Sequence, residues 1–192
     1  MRFALALLAA AAWAQQPPVR ILVSYHSESG NTAKLAESVR KGAASVAGVS
    51  VVLKKAADVT DAELIAYDGL VFGAPVHWQT ASADGKRFLD RVAAAYMKVS
   101  QRADGRTAGV FCTGGAVSSG KDLARLGMIA ELLAMRFTII GGVDSEGFGT
   151  LGPQATTPPG KTVADDAAEE ARAFGERFSR LTLRYRGGSV KP

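Results

Sequence analysis

The chain has 192 residues, is 47% hydrophobic and 21% charged, and carries a formal charge of +5 with one cysteine. That size suits one domain with a sizeable core, and a lone Cys112 rules out an intrachain disulfide. The basic residues are dispersed apart from a mild cluster at Arg180, Arg184, Arg186 and Lys191, without the interleaved aromatics of a single-strand binder, so nucleic acid is not an expected partner.

The N-terminus reads as a secretory signal peptide. Met1-Arg2 is a short basic start, Phe3 to Ala11 an apolar run, and Ala12-Trp13-Ala14 an A-x-A cleavage pattern before Gln15. The expected division is a signal peptide over 1–14, a short leader over 15–18, a folded domain over 19–182 and a basic tail over 183–192. Export to the periplasm or the extracellular space follows, with cleavage near Ala14-Gln15. No other apolar run approaches membrane length, so no stable membrane insertion is expected.

The first strand is expected over Arg20–Tyr25, mostly β-branched or aromatic as in a covered parallel strand. Ser27, Ser29, Asn31 and Thr32 follow around Gly30, and then a helix with Leu35, Val39, Ala43 and Val46 on one stripe. Unpaired N–H groups at such a helix start, together with the helix dipole, favour an anion. Hydroxyls can wrap a terminal phosphate there without Lys or Arg. The loop reads as a phosphate cradle.

A second strand is expected over Val49–Lys54, then a capping box at Thr60 and Glu63, and a third strand over Gly69–Ala74. The third runs into Pro75-Val76-His77-Trp78, then Ser82 and a helix with Phe88, Leu89, Val92, Ala95 and Tyr96 inward. The fourth, Thr107–Thr113, runs into Gly114-Gly115 and a helix with Leu126, Ile129, Leu132 and Leu133 inward. The fifth, Phe137–Val143, opens a Gly-, Pro- and Thr-rich segment from Asp144 to Lys161. A last helix is expected from about Val163 to Leu181, capped by Thr162 with Asp165 and packing through Ala167, Ala171, Phe174, Phe178 and Leu181.

Strict β–α alternation predicts an α/β fold, a doubly wound five-stranded parallel sheet of order 2-1-3-4-5 with helices on both faces. Ligands bind such sheets beyond the strands' carboxyl ends, where the unusual loops cluster. Gly115 to Asp122 nearly matches G-x-x-x-x-G-K-[ST]. Asp122 replaces the hydroxyl that ligates magnesium, and the fourth strand is the wrong place for a P-loop. No Cys/His cluster suggests a metal, and no Ser–His–acid set suggests a hydrolase. Cys112 reads as a small buried residue, and His26 as a residue at the mouth of the site or merely the end of its strand.

Ser27-x-Ser29-Gly30-x-Thr32 after the first strand resembles the phosphate-binding loop of flavodoxins. Phe72-Gly73-Ala74-Pro75 with the aromatic after it, Ser82, Phe88-Leu89-Asp90, Gly114-Gly115 and Gly147-Phe148-Gly149-Thr150 resemble flavodoxin-fold NAD(P)H:quinone oxidoreductases of the tryptophan-repressor-binding type. The resemblance spans Val19 to about Leu181 and implies bound FMN. It implies that Ser27, Glu28 through its backbone, Ser29, Gly30, Asn31 and Thr32 hold the phosphate. Pro75, Val76, His77 and Trp78 would flank the isoalloxazine, with Thr113, Gly114 and Gly115 at its other edge. His77 and Thr113 are the candidates for touching substrate, and NAD(P)H is the implied co-substrate.

On this reading a small-molecule donor reduces the flavin, a quinone-like acceptor reoxidises it, and a homo-oligomer is left open. The alternatives are a non-enzymatic FMN electron carrier and a flavodoxin fold without bound FMN. The chain departs from that group in three places. His77-Trp78-Gln79 stands for Arg-Phe-Gly, Met135-Arg136 occupies the region of a usual His, and Ala56 to Asp68 is shorter than the group's inserted segment.

Overall fold

The computed structural model describes residues 17–99 and 103–187; the expected signal peptide and residues 188–192 of the expected tail lie outside the described residues. Strands β1 (Val19–Tyr25), β2 (Val49–Lys55), β3 (Gly69–His77), β4 (Thr80–Ala81) and β5 (Thr107–Gly114) are followed by the short pieces β6 (Thr138–Ile139), β7 (Gly142–Val143), β8 (Gly149–Thr150) and β9 (Gln154–Thr156). The helices are α1 (Asn31–Ala44), α2 (Asp61–Leu64), α3 (Ala83–Lys98), α4 (Lys121–Ala134) and α5 (Asp165–Gly187). The main sheet runs β2-β1-β3-β5-β6, and β1 pairs in parallel with both β2 and β3, as β5 does with β3 and β6.

Alternation along β1 explains the two layers. Ile21 and Val23 face one apolar cluster with Leu35 and Val39 of α1 and Phe174 and Phe178 of α5. Leu22 faces the other, with Phe88 and Val92 of α3 and Met128 and Leu132 of α4. Phe72 stacks on Phe88 there, with ring centroids 4.5 Å apart. On the first face α1 and α5 touch backbone to backbone. A Cβ on Gly42 would lie 1.7 Å from the Arg172 carbonyl oxygen, and one on Gly175 would lie 2.0 Å from that of Val39.

Four expectations change. The fifth strand is not one run over Phe137–Val143. Thr138–Ile139 pairs with the start of β5, Gly142–Val143 turns away to pair antiparallel with β8, and β9 returns beside the carboxyl half of β5. The bend falls at Gly141, where a Cβ would stand 2.4 Å from the Thr150 carbonyl. In α4 the inward side is Ala124, Arg125, Met128 and Leu132, while Leu126 and Leu133 are 48% and 54% exposed. Their place in the inward stripe is therefore corrected; the neighbouring Arg125 is held inside instead by the carbonyls of Lys121 and Gly152 and by Gln154. Finally, α5 starts at Asp165 and runs to Gly187, beyond Leu181, and Thr162 is not its cap: its Oγ1 accepts from Lys34 Nζ at 2.6 Å.

The capping box at Thr60 is present. Thr60 Oγ1 accepts the Glu63 N–H at 3.3 Å, and the Glu63 carboxylate accepts the Thr60 N–H at 2.9 Å. Lys54 pairs with the same carboxylate. Its hydrogen bond, followed by those from Thr60, brings the Glu63 carboxyl down to about 2. Thr60→Ala is expected to lower stability by about 1 kcal/mol in urea unfolding. Because Glu63 titrates lower folded than unfolded, its contribution is complete above pH 4.5 and is lost as pH falls toward about 2. Melting temperatures across that window should fall less steeply for Glu63→Gln than for the native chain.

Candidate functional site

The carboxyl ends of β1, β3, β5 and β9 bring four segments to one edge of the sheet. From β1 the chain enters Ser27–Gly30 and then α1. Gly30, at the helix start, has φ +87°, and a Cβ there would meet nothing within 4 Å. Lys34 donates back to the Gly30 carbonyl at 3.0 Å, and Ala33 donates to Ser27 Oγ at 3.3 Å. Among the described residues, none of the six backbone N–H groups from Ser27 to Thr32 finds a protein acceptor. No acidic side chain occupies the first turn of α1. A run of free donors at a helix start, with hydroxyls and no cation in the loop, suits a terminal phosphate.

Two further contacts brace this loop from distant parts of the chain. Thr32 Oγ1 lies 2.8 Å from Thr113 Oγ1, joining α1 to the buried end of β5. After β9, Thr157 donates to the Gly114 carbonyl at 2.8 Å, and the strap to Thr162 crosses the start of α1. Asn31 Nδ2 donates to the Lys161 carbonyl at 3.3 Å, beside the Lys34–Thr162 bond. The sequence marks this segment as unusual but carries no signal that it closes over the first loop.

β3 and β4 form a hairpin in which His77 faces Thr80, so Trp78 and Gln79 are its two turn residues. Both have positive φ, 50° and 74°. This is the left-handed pair that two-residue hairpins normally fill with Asn-Gly. Trp78 is 98% exposed. The tip is seated between the other loops: His77 Nε2 lies 3.6 Å from Glu28 Oε1, and a Cβ on Gly120 would lie 2.7 Å from Gln79 Cα. Gln79→Gly is expected to raise stability by about 1 kcal/mol by relieving one left-handed residue. Chemical denaturation of the two proteins measures it; an unchanged or lower midpoint would show that the Gln79 side chain does more against Gly120 than the strain costs.

Pro75 ends the pairing of β3 with β5, opposite Thr113, and Val76 begins the hairpin. Gly115 is open, with nothing within 4 Å of a Cβ, whereas a Cβ on Gly114 would lie 2.1 Å from Ser119 Oγ. Of the two substrate candidates, His77 is at the rim and Thr113 is buried, its hydroxyl engaged with Thr32.

The sequence offered His26 as a residue at the mouth of the site or merely the end of its strand, and did not foresee its contacts with Ser82 and Asp84. Ser82 caps α3 by accepting the Gly85 N–H at 3.2 Å, and its Oγ lies 2.8 Å from His26 Nδ1. His26 Nε2 faces two carboxylates, Asp84 at 3.4 Å and Glu28 at 4.0 Å. Glu28 is exposed and lies against both imidazoles. The signals for this cluster were His26 at the end of the first strand and Ser82 before a helix.

Two other residues have structural tasks. Lys121 Nζ donates to the carbonyls of Ala116 at 2.8 Å and Val117 at 2.9 Å, so the near-P-loop lysine closes its own loop. Cys112 is fully buried, and burial pushes its thiol up to about 12, which leaves no thiolate for chemistry. Among the described residues, no group of three or more His, Cys, Asp or Glu is arranged to hold a metal ion.

A doubly wound parallel sheet with a phosphate-type cradle after its first strand defines a mononucleotide-binding α/β protein. The flavodoxin family model matches residues 23–146, and the chain belongs to that family. It is 29% identical over 160 residues to a flavodoxin of Aquifex aeolicus, covering 83% of this chain and 85% of that one. It is 25% identical over 187 residues to an NAD(P)H dehydrogenase (quinone) of Archaeoglobus fulgidus, covering 84% and 96%. Among solved structures, the flavodoxin, WrbA-like protein from Agrobacterium tumefaciens superposes with a TM-score of 0.69 at 21% identity, covering 87% and 99%.

Proposed function

We propose that this chain binds FMN and works as an NAD(P)H:quinone oxidoreductase. The observation that carries the reading is the run of six N–H groups from Ser27 to Thr32 that find no acceptor among the described residues, around open space at Gly30. Ser27, Ser29, Asn31 and Thr32 with the Glu28 and Gly30 amides would hold the phosphate, while the Glu28 carboxylate stays with the imidazoles. Pro75, Val76, His77 and Trp78 would line one side of the flat ring system, and Gly114 and Gly115 would bring backbone to its other edge. Thr113 acts as a positioning residue, because its hydroxyl fixes Thr32. Bound FMN would supply hydride and electron transfer. His77, with Nε2 3.6 Å from Glu28 Oε1 at the rim, would be the residue placed to meet a quinone-like acceptor.

Reconstitution tests the reading. The purified chain mixed with FMN should quench flavin fluorescence with one site per chain, and then oxidise NAD(P)H saturably with a soluble quinone. Failure to retain FMN would remove both steps. Retention without NAD(P)H turnover would leave a carrier, the reading favoured by the Aquifex flavodoxin relative. Against a carrier stands the net charge of +5, because acidity is what steers such carriers to basic partners. We also propose that the mature protein acts outside the cytoplasm. N-terminal sequencing of the mature chain, expected to start at Gln15, tests that.

A further inference from the structure

The chain holds two histidines, and both imidazoles face one carboxylate. Glu28 Oε1 lies 3.6 Å from His77 Nε2 and 4.0 Å from His26 Nε2. Among the described residues no lysine or arginine pairs with Glu28, whereas every other ion-paired acid there has at least one such partner. The three residues come from two sides of the site. Glu28 belongs to the phosphate loop that His26 opens, and His77 leads into the turn of the β3–β4 hairpin, whose Gln79 is seated on Gly120. A pull between His77 and Glu28 therefore draws the hairpin onto the phosphate loop.

That pull depends on protons. A neutral imidazole offers a carboxylate at most one N–H, whereas an imidazolium donates from both nitrogens and carries a full charge. Histidine changes between these forms where carboxylates are already ionised. His26 also faces Asp84 at 3.4 Å, and beside it lies a hollow of about 340 Å³ lined by Tyr25, Lys55, Arg87 and Arg91. Arg87 is paired with Asp84, Arg91 is turned to the Ala56 and Val59 carbonyls and Asp61, and Lys55 is exposed at the end of β2. The charges within reach of His26 Nε2 are thus the two carboxylates. In water an exposed pair of this kind contributes little. A phosphate dianion on the same loop changes the balance, because the Glu28 carboxylate repels it and each imidazolium attracts it.

We propose that Glu28 is a positioning residue of the flavin site: with His26 and His77 it forms a proton-dependent clasp that ties the β3–β4 hairpin to the phosphate loop and couples FMN retention to acidity. The clasp presupposes FMN as the ligand of that loop. Protonation closes it and offsets the carboxylate beside the phosphate, so the gain in affinity is complete below the imidazole titrations and absent above them. By reciprocity, both rings bind protons more tightly when the site is filled. With two histidines in the chain, NMR of the ring protons can follow each titration. In the empty protein Glu28→Gln should lower both midpoints by about 0.5 pH, and saturating FMN should raise both in the native chain by about as much. Fluorescence titration from about pH 8.5 to about pH 5 should then show FMN affinity rising roughly tenfold for the native chain relative to His26→Asn/His77→Gln, because the titration of the phosphate itself is common to both. His77→Gln alone, at the rim, should lose roughly threefold of that gain, which keeps the test decisive if the double variant misfolds. FMN binding with a flat ratio, or midpoints indifferent to Glu28→Gln, would overturn the clasp and leave FMN as the ligand. No FMN binding by the native chain at any pH would overturn both.

Discussion

Ser29→Asp is expected to weaken FMN binding by about two orders of magnitude while leaving the empty protein as stable as before, or slightly more so. The residue is exposed on the phosphate loop, so the change disturbs no packing. Its carboxylate would sit among donors that no group of the described residues uses, at the start of α1. A negative charge there gains about 0.3–1 kcal/mol from the helix terminus. The same charge a few ångströms from a phosphate dianion costs roughly 2–4 kcal/mol after screening. The two effects have opposite signs. Fluorescence titration with FMN, run beside thermal unfolding of the empty protein, therefore separates a cradle from an ordinary helix start. Equal FMN affinity in the two proteins would place the phosphate elsewhere.

Gly42→Ala should destabilise the fold by roughly 3 kcal/mol, although alanine is the better helix former by about 1 kcal/mol. The new methyl would have to displace a main-chain carbonyl of α5, which cannot rotate away as a side-chain tip would. Gly175→Ala meets the Val39 carbonyl in the same seam and should act in the same direction. The double variant should cost less than the two single costs together, because the first separation of the helices makes room for the second methyl. Urea unfolding gives all three values. An increase in stability for Gly42→Ala would mean that α1 and α5 sit farther apart than described.

The architecture was legible because local patterns agree with it. β1 reads as a covered strand, α1 and α3 carry stripes of the correct period, and the capping box at Thr60 is local to four residues. Legibility fails where a residue's partner is remote. Phe137–Val143 has the composition of one strand, and only the close passage of Thr150 at Gly141 forces it to split. Leu126 and Leu133 look inward on hydrophobicity alone, whereas the packed side includes the charged Arg125, which is admitted by the Gly152 carbonyl 27 residues away. At the site, the β1–α1 loop follows from hydroxyls and a glycine in a row. The His26–Ser82 contact and the strap over Asn31 join residues 56 and 130 positions apart and leave no local trace.

The strap also fixes when the cradle can exist. Lys161 and Thr162 reach α1 across 130 and 128 residues, and β9 must already lie against β5 to aim them. Contacts of such separation form late, as does parallel pairing in general. During synthesis the phosphate loop emerges early, yet its outer wall arrives only when four-fifths of the chain is made. A cofactor that needs that wall is captured by the finished fold and gives little help to the nascent one. Wherever the chain completes its folding is therefore where flavin must be at hand.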